Sequence, residues 1–425
     1  MGLLRRPAGP LLGGPLGAGG GAPGARAGAG LAGRARAGGA AGRRGGRGPP
    51  PLRGALALLG LLLGLLLLLL AGRRGGGGGV PGWLLEPPGP GAPGPDVVGL
   101  AVKPTCVNAL AVRSLNRFLR PRAITVVAPS EAQCAHFRAM AANVRCVLED
   151  AVVPGVTKAA VEARLRERYG AAGAGSFSGR ANAGWYLQQF VKLGAARHLP
   201  GLSEDFVLWD MDMILLREPR VFEEAPGGAR AYVFNTGGYD ASDYAGAYER
   251  LVGRELENAP DGSSFVTHWM AVHRPWMEEL LRAFAGGAAA GEPGGDQWPW
   301  RILDAVGRER VHKGFSEYAS YASWVRQRHP EAMRLQPKNW QRHPPGGRYF
   351  VSLQRLLHPS GLCCPSGYLL DLMRARGNVF MGFEIGHDAF CQYNHPLHAE
   401  SYGLSGGGAA RGGGARARSH LHLCE

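Results

Sequence analysis

Phe206-Val207-Leu208-Trp209-Asp210-Met211-Asp212-Met213-Ile214-Leu215-Leu216 is the stretch that decides how this chain reads. Two aspartates interrupt an otherwise apolar run. A run of this kind reads as a buried strand of a parallel sheet, covered on both faces. Side chains alternate along a strand, so Asp210 and Asp212 are expected on the same face. Two neighbouring carboxylates among apolar residues repel each other and are poorly solvated. A divalent cation would neutralise both, and oxygen ligands suit Mg²⁺ or Mn²⁺. A cation held there can grip a diphosphate.

Upstream, strands and helices alternate. Residues 97–102 and 123–128 read as strands, with a helix over 108–119 between them. Ser130 is placed to cap the next helix, with Glu131 near its positive end. Residues 145–148 give a third strand, 157–169 an exposed helix, and 170–181 a flexible Gly/Ala/Ser loop without periodicity. A helix over Asn182–His198 then leads into the aspartate strand. This order implies a doubly wound α/β domain with parallel strands, which takes ligands at the strands' carboxyl ends.

The helix over Asn182–His198 has two faces. Leu187, Phe190, Val191 and Gly194 fall on one side, and Trp185, Gln188, Gln189 and Lys192 on the other. The second group reads either as solvated surface or as a ligand-facing stripe with Lys192 meeting a phosphate. Downstream, a strand over 231–234 ends at Asn235-Thr236-Gly237-Gly238. That glycine pair marks either a close backbone approach to a ligand or a plain turn. Residues 264–284 read as a strand or turn running into a helix after Pro275, with His268 and His273 as polar candidates.

Composition divides the chain. Residues 1–74 hold eleven Arg, no Lys and no acid, so of the formal charge of +15 only 15 − 11 = +4 belongs to residues 75–425. The basic excess sits in a tail without stacking aromatics, which excludes nucleic acid as the expected partner. Residues 54–71 are 18 apolar residues without a charge, with nine Arg before them and Arg73-Arg74 after. That pattern predicts a single transmembrane signal-anchor with the N-terminus cytosolic. A cleaved targeting peptide is the competing reading. The expected organisation is a cytosolic tail (1–53), an anchor (54–71), a Gly/Pro-rich stem (72–95), a catalytic domain (96–400) and a flexible tail (401–425). Seven cysteines follow the anchor, without a C-x-x-C pair, and fit buried thiols plus one or two bridges.

Asp-x-Asp after an apolar strand also occurs in haloacid-dehalogenase-type phosphatases, where the first Asp is the nucleophile. Their motif usually opens the domain; here an α/β pattern precedes it and Met213-Ile214 follow.

Three segments together carry a resemblance. Gly184-Trp185-Tyr186-Leu187-Gln188-Gln189-Phe190-Val191-Lys192-Leu193 precedes the aspartate strand. Ser264-Phe265-Val266-Thr267-His268-Trp269-Met270 follows it. Gly314-Phe315-Ser316-Glu317-Tyr318 comes last, with Tyr321 and His329-Pro330 downstream. Over about 97–345 the chain resembles a family of nucleotide-diphospho-sugar glycosyltransferases found in bacteria and algae, largely of unknown function. The resemblance implies a GT-A-like fold: a doubly wound mixed sheet with flanking helices, a nucleotide-sugar half and then an acceptor half. It implies Mn²⁺ or Mg²⁺ on Asp210 and Asp212, with a C-terminal His completing the shell. His387 is the candidate, with His343 and His395 competing. It makes Trp185, Gln188, Gln189 and Lys192 donor contacts. Glu317 becomes the base that deprotonates the acceptor hydroxyl, set against a purely structural helix-start role beside Ser316.

The expected function is therefore a metal-dependent glycosyltransferase anchored in the Golgi membrane with its catalytic domain lumenal. A nucleotide sugar is the donor and a glycan, protein or lipid the acceptor. A phosphatase or nucleotide-sugar hydrolase using Asp210, and a non-catalytic lumenal binding protein, are the alternatives.

Overall fold

The computed structural model describes residues 80–86, 93–177, 180–238, 240–343, 365 and 367–383. The expected anchor at 54–71, the tails 1–53 and 401–425, His387 and His395 lie outside the described residues. Among the described residues no helix is long and apolar enough to cross a membrane.

The main sheet has the order β10-β6-β1-β2-β3. Strands β1 (Asp96–Leu100), β2 (Ile124–Ala128), β3 (Val144–Leu148) and β6 (Asp205–Asp210) are parallel, and β10 (Trp269–His273) closes the edge antiparallel to β6. The helices begin with a single turn, α1 (Gly82–Leu85), followed by α2 (Cys106–Phe118), α3 (Glu131–Arg138), α4 (Lys158–Tyr169) and α5 (Asn182–His198). They continue with α6 (Ser242–Val252), α7 (Arg274–Phe284), α8 (Trp298–Ala305), α9 (Glu317–Arg328) and α10 (Gly367–Ala375). The expected cap forms, with Ser130 Oγ accepting from Gln133 N, and Thr157 Oγ1 caps the next helix by accepting from Ala160 N. Helix α4 is exposed on one side only, since Val161, Leu165 and Tyr169 make a buried i, i+4 stripe.

The aspartate run is not one strand. It ends as β6 at Asp210, turns at Met211-Asp212 and resumes as β7 (Met213–Leu215) in a different sheet, of order β12-β13-β7. Here β12 is Trp340–Gln341 and β13 is Phe380–Gly382. Both halves are apolar on both faces because each is buried in its own layer. The turn is fixed by side chains and backbone from elsewhere. Asn108 Nδ2 donates to Met211 O at 2.8 Å, and Phe383 N donates to Asp212 O at 2.9 Å. Gly99 leaves the room that Met211 fills, as a Cβ there would lie 2.7 Å from the Met211 side chain.

One further correction concerns the segment read as a flexible loop. Residues 170–181 hold a 3₁₀ turn (Gly170–Ala172) and a small hairpin of β4 (Ser176–Phe177) and β5 (Arg180–Ala181). The third layer, of order β11-β9-β8, comprises β8 (Phe222–Glu224), β9 (Arg230–Asn235) and β11 (Met333–Gln336).

Part of the expected stem is clasped rather than free. Leu84 of α1 is buried in a small core with Cys106, Leu110, Ile214 and Leu370. Trp83 Nε1 donates to Asp371 Oδ1 at 2.6 Å, and the Arg374 guanidinium lies 4.7 Å over its ring. A disulfide joins Cys134 to Cys146, tying α3 to β3, and Cys106 is also disulfide-bonded.

Candidate active site

The chain leaves β1 towards β2 on one side and later adds β6 on the other. The point where such a sheet reverses direction opens a crevice at the carboxyl ends of its strands. Leu100 and Asp210 are register partners at those ends, so Asp210 stands at the mouth of this crevice.

Three elements converge on Asp210. Oδ1 accepts from Lys192 Nζ of α5 at 2.5 Å and from the Tyr318 hydroxyl of α9 at 2.9 Å. Oδ2 lies 3.0 Å from His268 Nδ1, which carries the proton because a carboxylate can only accept. The Asp210 backbone N–H donates to His268 O at 2.8 Å, the last bond that holds β6 to the segment entering β10. Lys192 Nζ also donates to Glu317 Oε1 at 2.6 Å and to the Tyr318 hydroxyl at 3.2 Å, and lies 4.4 Å from the Tyr318 ring centre. Lys192 is 1% exposed and Glu317 2%.

Charge balance governs this cluster. Burial opposes the Lys192 ammonium, but Asp210 and Glu317 outweigh it and hold its pKa above the usual lysine value. Burial also opposes the Asp210 carboxylate, but Lys192 and His268 outweigh it and hold it well below the usual aspartate range. For Glu317 burial wins: together with the Asp210 charge it overrides the Lys192 pairing, and the carboxyl is raised. The Tyr318 hydroxyl, pushed up by burial and by Asp210, stays protonated as a donor.

His268 sits at φ 70°, in the left-handed region, which a β-carbon makes costly. The strained backbone turns both its carbonyl and its ring towards Asp210. Its ring meets Trp340 edge-on, with centroids 5.6 Å apart, and Trp340 Nε1 donates to Thr236 O at 3.2 Å. Thr236 follows Asn235, the last residue of β9. The Asn235 amide is 2% exposed and has no hydrogen-bond partner among the described residues. Buried amides are normally paired, so one left without a partner stands out.

The structure sorts the sequence-predicted residues. Lys192 is neither on a solvated face nor open to a phosphate; it is the buried counter-ion of two carboxylates. Gln189 is buried as well, and its Oε1 accepts from Glu317 N at 3.0 Å, which orders the start of α9. Helix α5 is therefore packed on nearly all sides, because α4, α7, α9 and the sheet surround it. Trp185 and Gln188 are half-buried. Glu317 is the first residue of α9, behind the N-cap Ser316, whose Oγ accepts from Ala319 N. Burial under Lys192 keeps Glu317 from reaching an acceptor hydroxyl. Gly237-Gly238 meet protein rather than ligand: a Cβ on Gly238 would lie 2.4 Å from Val266 O. His273 lies at the opposite end of β10, 2.8 Å from Asp205 Oδ1. Tyr318 and Asn235 stood in segments singled out by sequence, but nothing in their spacing marked them as the ones that matter.

Both Asp210 oxygens are already engaged, and among the described residues there is no group of three His, Cys, Asp or Glu that could hold a metal. The expected third ligand, His387, lies outside the described residues. A metal that arrives bound to a diphosphate asks less of the protein, since Mg²⁺-type ions keep several waters and need only one or two protein carboxylates beside the phosphates. Asp212 is half-buried on the turn after Asp210.

No protein-family model matches the chain, and no curated protein matches it. Among solved structures it is similar to mouse xyloside xylosyltransferase 1, at 13% identity over 69% of this chain and 99% of that one, with a TM-score of 0.33. It is similar to an active-site mutant of LgtC at 11% identity, over 72% and 95% of the two chains, with a TM-score of 0.37. The glycosyltransferase GlyE of Streptococcus pneumoniae follows at 10% identity, over 73% and 60%, with a TM-score of 0.33. Likenesses this remote assign no substrate and no residue role.

Proposed function

We propose that this chain is a glycosyltransferase that moves a sugar from a nucleotide-diphosphate sugar to an acceptor hydroxyl. The observation that carries this reading is the position of Asp210. It closes β6 at the switch point of a doubly wound sheet and is followed by a tight turn that presents Asp212. Lys192, Tyr318 and His268 hold Asp210 in one orientation, so the turn bearing Asp212 is preorganised. Asp212 would meet the Mn²⁺ or Mg²⁺ of the donor complex, which supplies positive charge to the leaving diphosphate. Asn235 would offer its open amide to the donor. Glu317 serves as a positioning residue: its carboxylate fixes the Lys192 ammonium that orients Asp210.

A lumenal, membrane-anchored location agrees with the apolar segment 54–71 and with the Cys134–Cys146 disulfide, which suits an oxidising compartment. The Golgi membrane remains the proposed site.

The test is a screen of UDP-, GDP- and CMP-sugars for binding and turnover by the full-length protein, with Mn²⁺ and with chelator, beside Asp212→Asn. Cation-dependent turnover of one donor, lost in the variant, supports the reading. Phosphate release with a covalent aspartyl-phosphate at Asp210 would replace it with a phosphatase. A folded protein that binds no donor would point to a non-catalytic role.

A further inference from the structure

A cavity of about 550 Å³ lies between α7 and α9 and is lined by Glu279, Arg282, Trp324, Arg328 and His329. Arg328 ends α9, about 16 Å along the helix from Glu317 at 1.5 Å per residue. The cavity is thus separate from the Asp210 cluster.

Its walls are preset by stacking. Trp276 lies against His329, with centroids 4.5 Å apart and planes 15° apart. The Arg328 guanidinium lies 5.0 Å over the Trp324 ring. Glu279 joins the two walls: its Oε2 lies 2.8 Å from His329 Nε2 and accepts from Trp324 Nε1 at 3.4 Å. The one acid of the lining is therefore committed to protein donors. Arg282 and Arg328 are exposed at the rim, and neither has a carboxylate partner among the described residues. Gly287 forms an open lip, since a Cβ there meets nothing within 4 Å.

We propose that this cavity binds a sugar unit carrying a carboxylate or a sulfate. Two guanidiniums without a carboxylate partner among the described residues line this cavity, each able to offer forked donors to an oxyanion, and stacking on Trp324 fixes the plane of one of them. The volume lies in the range of roughly 300–1,000 Å³ usual for small-molecule sites. The preference for an oxyanion stands on this cavity; that the oxyanion is carried by a sugar rests on the proposed glycosyltransferase reading.

Isothermal titration calorimetry on the full-length protein tests it, with glucuronate, glucose 6-sulfate, glucose and inorganic sulfate as probes. Glucuronate or glucose 6-sulfate is expected to bind saturably. An Arg282→Gln, Arg328→Gln double variant is expected to lose at least about tenfold in affinity. Both residues are exposed, so its melting temperature should match that of the unaltered protein. The proposal is overturned if neither acidic sugar binds, if glucose binds as tightly as glucuronate, or if inorganic sulfate alone binds as tightly as the sugar sulfate. Undiminished affinity in the variant overturns it as well.

Discussion

Lys192 Nζ lies 2.6 Å from Glu317 Oε1, with both side chains sealed from solvent, and the same ammonium reaches Asp210 at 2.5 Å. One cation thus balances two buried carboxylates. Removing it leaves like charges together, whereas removing one acid leaves a matched pair. Lys192→Met is therefore expected to cost about 3–5 kcal/mol, the usual penalty for breaking a buried pair from one side. Glu317→Gln should cost less, about 1–3 kcal/mol for a charged hydrogen bond. Urea denaturation of both variants measures this. Equal losses would mean that Glu317 and Asp210 do not share Lys192.

The same cluster sets a pH dependence whose sign differs for its two acids. Asp210 is held below its ordinary value of 3.8, so its contribution is present above pH 3.8 and is lost as pH falls through its lower folded value. Glu317 is held above its ordinary value of 4.5. Its contribution is complete below pH 4.5 and is lost as pH rises through the raised folded value. Stability measured from pH 4.5 upward should therefore decline more in the unaltered protein than in Glu317→Gln. Parallel curves would show that Glu317 does not titrate upward.

Much of this architecture is legible in the sequence, and the illegible part has a common cause. The strand–helix alternation, the Ser130 cap and the helix over Asn182–His198 follow from local periodicity and capping. The break at Met211-Asp212 does not, because it depends on Asn108 and Phe383, far away in the chain. Likewise Lys192 and Gln189 occupy a polar stripe that reads either as surface or as ligand-facing. The partners that make burial tolerable, Glu317 and its backbone N–H, come from α9. Periodicity shows which residues share a face, but not what covers that face.

His268 combines a left-handed backbone with a bond to Asp210, and two substitutions separate these effects. His268→Ala loses the bond and keeps the strain. His268→Gly loses the bond and relieves the strain, so it should be the more stable of the two by about 1–2 kcal/mol. Both should bind the donor less well than the unaltered protein, since Asp210 loses one of its three holds. If the two variants melt together, the backbone at 268 relaxes without cost.

Leu84 gives the clasp near the N-terminal end of the described chain a measurable weight. It is 1% exposed in a core that also holds Ile214, Leu370 and Met381. Leu84→Ala should destabilise by about 2–5 kcal/mol, as large-to-small changes in a core do. Limited proteolysis near residue 87 should accelerate in parallel. An unchanged midpoint would show that α1 does not contribute to the folded domain.

Asn235 distinguishes a residue kept for binding from one kept for stability. Its amide is buried and open among the described residues, at the end of β9 and one residue before the Thr236 carbonyl that bonds Trp340. An unsatisfied buried amide costs roughly 1–3 kcal/mol, and an apolar group of similar shape does not pay that penalty. Asn235→Leu is therefore expected to raise the unfolding free energy by about 1 kcal/mol or more while weakening donor binding by at least about tenfold. Denaturation and donor titration on the same preparation read the two effects separately. A variant that is destabilised, with donor affinity unchanged, would identify Asn235 as a structural residue and remove it from the site.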